Sequence, residues 1–380
     1  MKKGNGVISR IIVFLVLGGF VLNLSAQVPN TEEKNNAFVE DFYKSFSGKI
    51  GEEPISIDLH FVNGKLSGKY NTRDRSIPLE VVSSPNKREK PWMLTEKTAD
   101  SSKSNTWKFW ISKEKVKAVV LAKSDGVKTI VHLTEDYPAG VSPFAMHDYR
   151  RKIALYPDDL ESPLYKIELV FPTAKNPSET DRFLNQKIKE IIGLDEKLTF
   201  DEGVEELLKD LDWSYKGAIE EQSEVMINDW QFSKIIKIDF NEKGYLLLSE
   251  NTQEYTGGAH DYQHKNYYAF DLQNQKKLHR ENITTIDTVE LQNLLENQFR
   301  KDFELRADEN LDEVLFENYL KPGENFRFDK QGIYFVYNSY EVGPYSLQSF
   351  EVFISYQDLK GTLVREFANR MNLSPKNAMN

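Results

Sequence analysis

Residues 255–261 read Tyr-Thr-Gly-Gly-Ala-His-Asp and separate two segments that have the composition of β-strands. Two adjacent glycines supply backbone dihedral angles that other residues avoid, so we expect the chain to reverse here. Residues 245–254 before the reversal and residues 265–272 after it are both expected as strands. Because strands in this order pair as a hairpin, the stretch predicts an antiparallel sheet.

The rest of the second half mixes helices with strands. Residues 176–193 open with a helix-start pattern and end at Gly193, and their apolar residues fall on one helical face. A second helix is expected from Thr199 to about Glu221, because Thr199 and Glu202 match a capping box. Further strands are expected over residues 165–171, 225–227, 234–240, 332–338 and 348–356, and further helices around residues 291–299, 311–320 and 357–369. This pattern predicts an α+β fold with an antiparallel sheet and packed helices.

The first half carries a β pattern from about residue 37 to residue 136. Ile55, Ile57, Leu59 and Phe61 alternate with polar residues, which is typical of a half-buried strand, and an Asn-Gly pair then predicts a tight hairpin. We interpret residues 37–136 as a small antiparallel β meander domain. Residues 137–163 hold four prolines and are interpreted as a linker, which leads into an α+β domain over residues 164–370.

The N-terminus has the pattern of a secretory signal. Lys2, Lys3 and Arg10 precede the apolar run 11–24, and a small-residue pair follows, so we expect cleavage after Ala26 and a disordered lead over residues 27–36. As a helix the run would extend about 21 Å, against about 30 Å of bilayer hydrocarbon, so no stable membrane span is expected after cleavage. We therefore expect an extracytoplasmic protein, either periplasmic or secreted.

The charge and the cysteine count narrow the classes of function. The formal net charge is −10, and removing the three positive charges of residues 1–26 leaves −13. Such a balance argues against nucleic acid and anionic lipid as partners but is compatible with a basic protein. The chain has no cysteine, which excludes disulfides, thiol catalysis and thiolate metal sites.

Two segments of the second half carry a family resemblance. One comprises residues 255–260 and the following strand 267–272, which reads Tyr-Tyr-Ala-Phe-Asp-Leu. The other reads Tyr-Glu-Val-Gly-Pro-Tyr over residues 340–345 and leads to the strand 350–356. Over roughly residues 164–358 the chain resembles a bacterial extracytoplasmic family of unsettled function. Its relatives form the outer domain of the sigma-V anti-sigma factor and an accessory region of peptidoglycan deacetylase C.

The resemblance implies a fold and a type of partner, but no set of catalytic residues. Because the anti-sigma relative uses this domain to bind lysozyme, a basic protein such as a lysozyme and peptidoglycan fragments are the expected partners. We interpret the chain as a non-enzymatic binding protein of the cell envelope, with no cofactor and no metal. The candidate binding residues are Tyr255, Gly257, Gly258, His260, Asp261, Glu341, Gly343 and Tyr345.

Two enzymatic alternatives stay open. In the first, a hydrolase or deacetylase acting on envelope glycan uses His260 with Asp261 or Glu341 as acid and base. In the second, residues 199–203 (Thr-Phe-Asp-Glu-Gly) resemble the motif of polysaccharide deacetylases, with Asp201 as base and Glu202, His260 and His264 as metal ligands. The capping box argues against the second alternative, because the carboxylates would begin a helix. On an extended strand the two histidines would also lie about 13 Å apart.

Overall fold

The structure is a computed structural model. It describes residues 41–62, 64–73, 75–84, 90–98, 104–111, 116–121, 128–137, 141, 143–220, 228–257 and 260–373. The predicted signal peptide, the predicted lead, Gly258 and the predicted strand 225–227 lie outside these residues. The described residues fall within one compact unit.

Strands predominate among the described residues. They are β1 (Phe42–Ile50), β2 (Glu53–Val62), β3 (Lys65–Asn71), β4 (Ser76–Ser83), β5 (Trp92–Glu96), β6 (Thr106–Ile111), β7 (Val116–Leu121), β8 (Lys128–His132), β9 (Thr134–Glu135), β10 (Phe144–Ala154), β11 (Leu164–Ala174), β12 (Trp230–Glu242), β13 (Tyr245–Tyr255), β14 (Tyr262–Asp271), β15 (Lys276–Lys277), β16 (Phe326–Phe328), β17 (Gly332–Tyr337) and β18 (Phe350–Ser355). The α-helices are α1 (Glu179–Ile192), α2 (Phe200–Glu220), α3 (Thr288–Asp302) and α4 (Arg365–Met371). None of these helices combines the length and the apolar character that crossing a lipid bilayer requires.

One large sheet runs through the molecule in the strand order β15-β14-β13-β12-β11-β10-β1-β2-β3-β4-β5-β6-β7-β8, and β9 pairs with β1. Its neighbours are antiparallel except β11 and β12, which are parallel. A parallel pair needs a crossover, and α1 and α2 supply it. A second sheet has the order β16-β17-β18. The mostly antiparallel sheet with packed helices confirms the predicted α+β class.

Local chemistry sets the ends of α1 and α2. Ser178 caps α1 by accepting a hydrogen bond from the backbone of Asp181, and Gly193 ends the helix at φ 93°. The side chains of Thr199 and Glu202 form the predicted capping box at the start of α2. The apolar faces of both helices pack with one face of β10–β14 in a single core.

The other face of β12–β14 is covered by the small sheet together with α3 and α4. Tyr245 and Leu247 of β13 point into this second core, whereas Leu246 and Leu248 point into the core with α1 and α2. This alternation follows from the two-residue period of a strand. The central hairpin β13–β14 is therefore buried on both faces at the end that holds residues 245–250 and 269–271, whereas the end next to the connection is half-buried or exposed.

Three expectations from the sequence differ from the structure. The predicted linker 137–163 contains the strand β10, which pairs with β11 along its whole length. The prolines of this segment, which suggested a linker, lie outside β10. The predicted helix 311–320 is a single 3-10 turn at Leu311–Glu313, because the next free backbone N–H, that of Phe316, donates to the carbonyl of Val342. The helix predicted over 357–369 begins only at Arg365, after turns that include Gly361 at φ 96°.

The first strands contact β12 through a group of polar side chains that we term the polar joint: the buried Asp58 and His60 and the half-buried Lys69. A register shift between Ile238 and Phe240 marks a β-bulge in β12, and the carbonyls at the bulge turn toward the joint. His60 Nε2 lies 2.9 Å from the Ile238 carbonyl, and Lys69 donates to the Asp239 carbonyl. Because a carbonyl only accepts, His60 carries its proton on Nε2.

Candidate functional site

The first candidate loop, residues 255–261, closes the β13–β14 hairpin. The paired strands extend to Glu254 and Tyr262, so the loop lies at the end of a regular ladder. Gly257 has φ 88°, in the left-handed region that side chains with a Cβ avoid, which accounts for a glycine at this position. Gly258 lies outside the described residues.

The second candidate loop, residues 338–349, joins β17 to β18. Gly343 is buried, and a Cβ there would meet a methyl carbon of Leu347 at 2.7 Å and the carbonyl oxygen of Val314 at 3.2 Å. A glycine therefore lets this loop approach the 311–320 segment closely. Tyr340 has φ 65° and is 62% exposed, and a bulky residue in the left-handed region is an outlier.

The two loops contact each other, and we term them together the loop pair. The ring of His260 stacks on that of Tyr345 with centroids 4.3 Å apart and an interplanar angle of 21°. The Tyr345 hydroxyl lies 3.5 Å from Asp261 Oδ1. Tyr340 continues the row of rings, with its centroid 5.5 Å from that of Tyr345. The structure thus brings together candidate residues that are 84 positions apart in the chain.

Asn338, which the sequence analysis missed, fastens the second loop to β14. Its side chain accepts a hydrogen bond from the backbone N–H of Lys265 at 2.7 Å and donates to the carbonyl of the same residue at 3.1 Å. Its own backbone N–H donates to Glu341 Oε2 at 2.8 Å, so Glu341 stabilises the turn of the loop. Asn325 bonds in the same way to Tyr267 N–H and the Lys265 carbonyl. The two asparagine side chains thereby provide hydrogen-bond partners for backbone N–H and carbonyl groups at an edge of β14 where, among the described residues, no strand pairs with it.

Asp261 is the centre of a hydrogen-bond network built from glutamine side chains. Gln253 and Gln263 both donate to its Oδ2, at 2.7 Å and 2.6 Å. Gln231 in turn donates to Gln253 at 3.2 Å. The hydrogen bonds from Gln263 and Gln253 lower the pKa of the Asp261 carboxyl from its usual value, because they favour the charged form. Asp261 is therefore a fixed, ionised acceptor at neutral pH.

An open groove with a volume of about 360 Å³ lies beside the loop pair. Its lining residues are Lys166, Asp229, Trp230, Gln231, Gln253, Tyr255, His260 and Asp261. Tyr255, His260 and Asp261 were predicted from the sequence. The others come from β11, from β12 and the residue before it, and from β13, so that rigid strands form one wall and the first loop forms the other.

The charges of the groove are largely balanced. Lys166 Nζ lies 2.5 Å from Asp229 Oδ2, and this bond together with one from the backbone of Leu164 lowers the pKa of Asp229. Asp261 makes no ion pair among the residues that the structure describes. The groove therefore carries about one net negative charge and several uncharged polar groups.

The residues of the second enzymatic alternative serve other purposes. Asp201 and Glu202 lie in the first turn of α2, where Asp201 accepts a hydrogen bond from the Tyr149 hydroxyl at 2.7 Å. His264 lies in β14 and contacts Tyr262 and Asn338. Within the described ranges, no group of three or more histidines and carboxylates is arranged to hold a metal ion.

Comparison with known proteins bears on the second loop. Residues 280–357 match the family described as "Protein of unknown function (DUF3298)", which confirms the resemblance inferred from the sequence. That span contains the second loop and β16–β18 but not the first loop. No protein with a curated description matches the chain.

Two solved structures are similar to this chain. A member of the DUF3298 family from Bacteroides fragilis NCTC 9343 superposes with a TM-score of 0.52 at 24% identity, covering 61% of this chain and 97% of that one. A DUF3298 family protein from Pseudomonas aeruginosa PAO1 gives a TM-score of 0.43 at 13% identity, covering 60% of this chain and 98% of that one. The first likeness supports the fold.

Proposed function

We propose that this chain is an exported, non-enzymatic binding protein of the cell envelope, periplasmic or released, and that its recognition surface is the loop pair with the adjoining groove. The observation that carries the proposal is the contact between the two loops. The His260–Tyr345 stack joins the two segments that carry the family resemblance, and the first of these segments lines an open groove. Binding sites are commonly formed by loops that a rigid scaffold holds in place.

The state of the carboxylates supports binding rather than acid–base catalysis. A general acid or base works best with a pKa near the operating pH, whereas hydrogen bonds lower the pKa of Asp261. Glu341, the other carboxylate considered as a partner of His260, accepts a hydrogen bond from the backbone of Asn338 and stabilises a turn. The imidazole of His260 lies flat on a tyrosine ring. These arrangements favour fixed recognition groups.

Calorimetric titration of the mature chain against a lysozyme and against soluble peptidoglycan fragments tests the proposal. We expect at least one of them to bind, and we expect Tyr345→Ala to weaken binding, because the ring stack that joins the loops is lost. Trp110→Ala is the matched control, since Trp110 lies in β6, outside the groove lining. It should leave binding unchanged.

Two results would overturn the proposal. One is the absence of binding to both ligand classes. The other is release of acetate or reducing ends from cell wall by the purified chain, with loss of that activity in His260→Ala, which would establish the enzymatic alternative.

A further inference from the structure

The row of rings at the loop pair offers stacking faces to a ligand. Tyr340, Tyr345 and His260 follow one another at centroid distances of 5.5 Å and 4.3 Å. Tyr340 at the end of the row is 62% exposed, and His260 lines the groove. Aromatic side chains with one apolar face and a polar tip suit ligands that present both C–H and hydroxyl groups.

Next to the rings lies a set of amide groups whose orientation is fixed. Gln231, Gln253 and Gln263 are joined to one another or to Asp261 by hydrogen bonds of 2.6 to 3.2 Å. Each amide carries two N–H donors and one carbonyl acceptor, and Gln263 uses a single N–H in these bonds. Because Gln263 is exposed, its remaining groups can meet a ligand that offers both donors and acceptors.

The charge balance argues against a strongly charged ligand. The charges of Lys166 and Asp229 balance each other, which leaves Asp261 as the one unbalanced charge among the described residues of the groove lining. A basic protein gains most from several unpaired carboxylates, and an anion would be repelled by Asp261. The groove volume of about 360 Å³ falls in the range of about 300–1,000 Å³ typical of sites for small molecules.

Two of the six described non-glycine residues with positive φ lie in the second loop. Tyr340 has φ 65°, and Gln348 has φ 59° with ψ −176°, a combination found almost only in glycine. The backbone N–H of Asn338 donates to Glu341 and that of Ser339 donates to Ser349, and these hydrogen bonds hold the loop in this conformation. Strained non-glycine residues cluster at ligand sites, where the surrounding structure holds them.

From these observations we propose that the loop pair and groove bind an uncharged glycan, with sugar rings stacking on Tyr340 and His260 and hydroxyl or acetamido groups bonding to the glutamine amides. This inference rests on the proposed binding function and names the class of ligand. The same pyranose chemistry occurs in N-acetylated and in unacetylated glycans, and the experiment distinguishes them.

The test is calorimetric titration of the full mature chain with N,N′,N″-triacetylchitotriose and with cellotriose. We expect at least one trisaccharide to bind, and tighter binding of the first would assign a contribution to the acetamido group. Because the ligand is uncharged, Kd should change by less than about twofold between about 0.05 and about 0.5 M NaCl.

Three variants locate the site. Tyr340→Ala should weaken trisaccharide binding by about tenfold, whereas Tyr340→Phe, which keeps the ring, should stay within about twofold of the wild type. Gln263→Ala should weaken binding several-fold by removing an amide. A thermal unfolding transition equal to that of the wild type checks that each variant is folded, and Trp110→Ala should bind as the wild type does.

The outcomes separate this inference from the proposed function. If a lysozyme binds and Tyr345→Ala abolishes that binding while neither trisaccharide binds, the glycan inference is wrong and the proposed function stands. If neither trisaccharide nor any lysozyme or peptidoglycan fragment binds, both are wrong. Trisaccharide binding that Tyr340→Ala leaves unchanged would also overturn the glycan site.

Discussion

The polar joint and the loop pair are both rich in polar side chains, yet their surroundings differ. In the joint, Asp58 and His60 are 3% and 7% exposed, and the carbonyls of a β-bulge accept hydrogen bonds from His60 and Lys69. In the loop pair, His260 and Tyr340 are exposed, and Asp261 is held by glutamines at the edge of a groove. The joint therefore uses polar groups to hold strands together, whereas the loop pair presents them to solvent. Mutations in the joint should change stability, and mutations in the loop pair should change binding.

The largest effect is expected from the acid titration of His60 in the joint. Burial lowers the pKa of His60 to about 3, from an ordinary value of 6.5. Below about pH 6.5 the unfolded chain therefore binds a proton that the folded chain does not. As a result, the free energy of unfolding decreases as the pH is lowered from about 6.5 to about 3. The full difference corresponds to about 5 kcal/mol.

Urea unfolding at a series of pH values in the wild type and in His60→Gln measures this dependence. Gln keeps a donor for the Ile238 carbonyl but does not titrate, so the stability of the variant should change less between pH about 6.5 and about 4. Burial raises the pKa of Asp58, which gives the opposite dependence in both proteins and cancels in the difference. Equal slopes for the two proteins would show that His60 is not buried in its neutral form.

The next largest effect is expected from removing the cation of the joint. Lys69 Nζ lies 3.8 Å from Asp58 Oδ2 in a buried setting, so Lys69→Met leaves a carboxylate without its cation and should destabilise the fold by about 3 kcal/mol. Lys97→Met is the matched control, because Lys97 pairs with Glu80 at 3.0 Å on the surface, where such a pair contributes about 0.5 kcal/mol. Equal losses measured by urea unfolding would contradict a buried joint.

Elements with local signals could be predicted from the sequence. The caps of α1 and the capping box of α2 depend on residues within four positions of one another, and the hairpin β13–β14 follows from its glycine pair and the strand-like composition of the segments beside it. The 311–320 segment was misassigned as a helix because a distant carbonyl, that of Val342, takes the hydrogen bond that would continue it. Prolines at the ends of β10 concealed a strand for a similar reason, since only pairing with β11 reveals it.

The site could be predicted only in part. The glycines and the family patterns pointed to both loops. No local feature of the sequence shows that His260 contacts Tyr345, because that contact depends on how the sheet that contains β14 packs against the sheet that contains β17. The glutamines at the strand ends carry no motif of their own. Asn338 offers one signal in the sequence, because it is a polar residue directly after the apolar run of β17. In the structure this residue is 3% exposed.

A smaller effect on stability is expected within the first loop. Gly257→Ala places a Cβ at φ 88° and should cost about 1–2 kcal/mol, with faster hydrogen exchange confined to residues around 255–261. Gly217→Ala is the control, and we expect it to have the opposite effect on stability. It lies in α2 with open space around an added Cβ, and the change should stabilise the helix by about 0.5–1 kcal/mol. Destabilisation by both variants would indicate that backbone conformation does not account for Gly257.

The smallest effect is expected from the hydroxyl that bridges the two loops. In Tyr345→Phe the ring stack on His260 is kept, and Asp261 retains both glutamine donors, so only a 3.5 Å contact is lost. The free energy of unfolding should therefore change by less than about 0.5 kcal/mol. Tyr345→Ala, which removes the ring, should cost about 1 kcal/mol. Comparing both variants with Lys69→Met in the same urea titration separates the two regions: if Tyr345→Phe destabilised the chain as much as Lys69→Met, the loop pair would be part of what holds the fold together, and its exposed groups would no longer be free to serve a ligand.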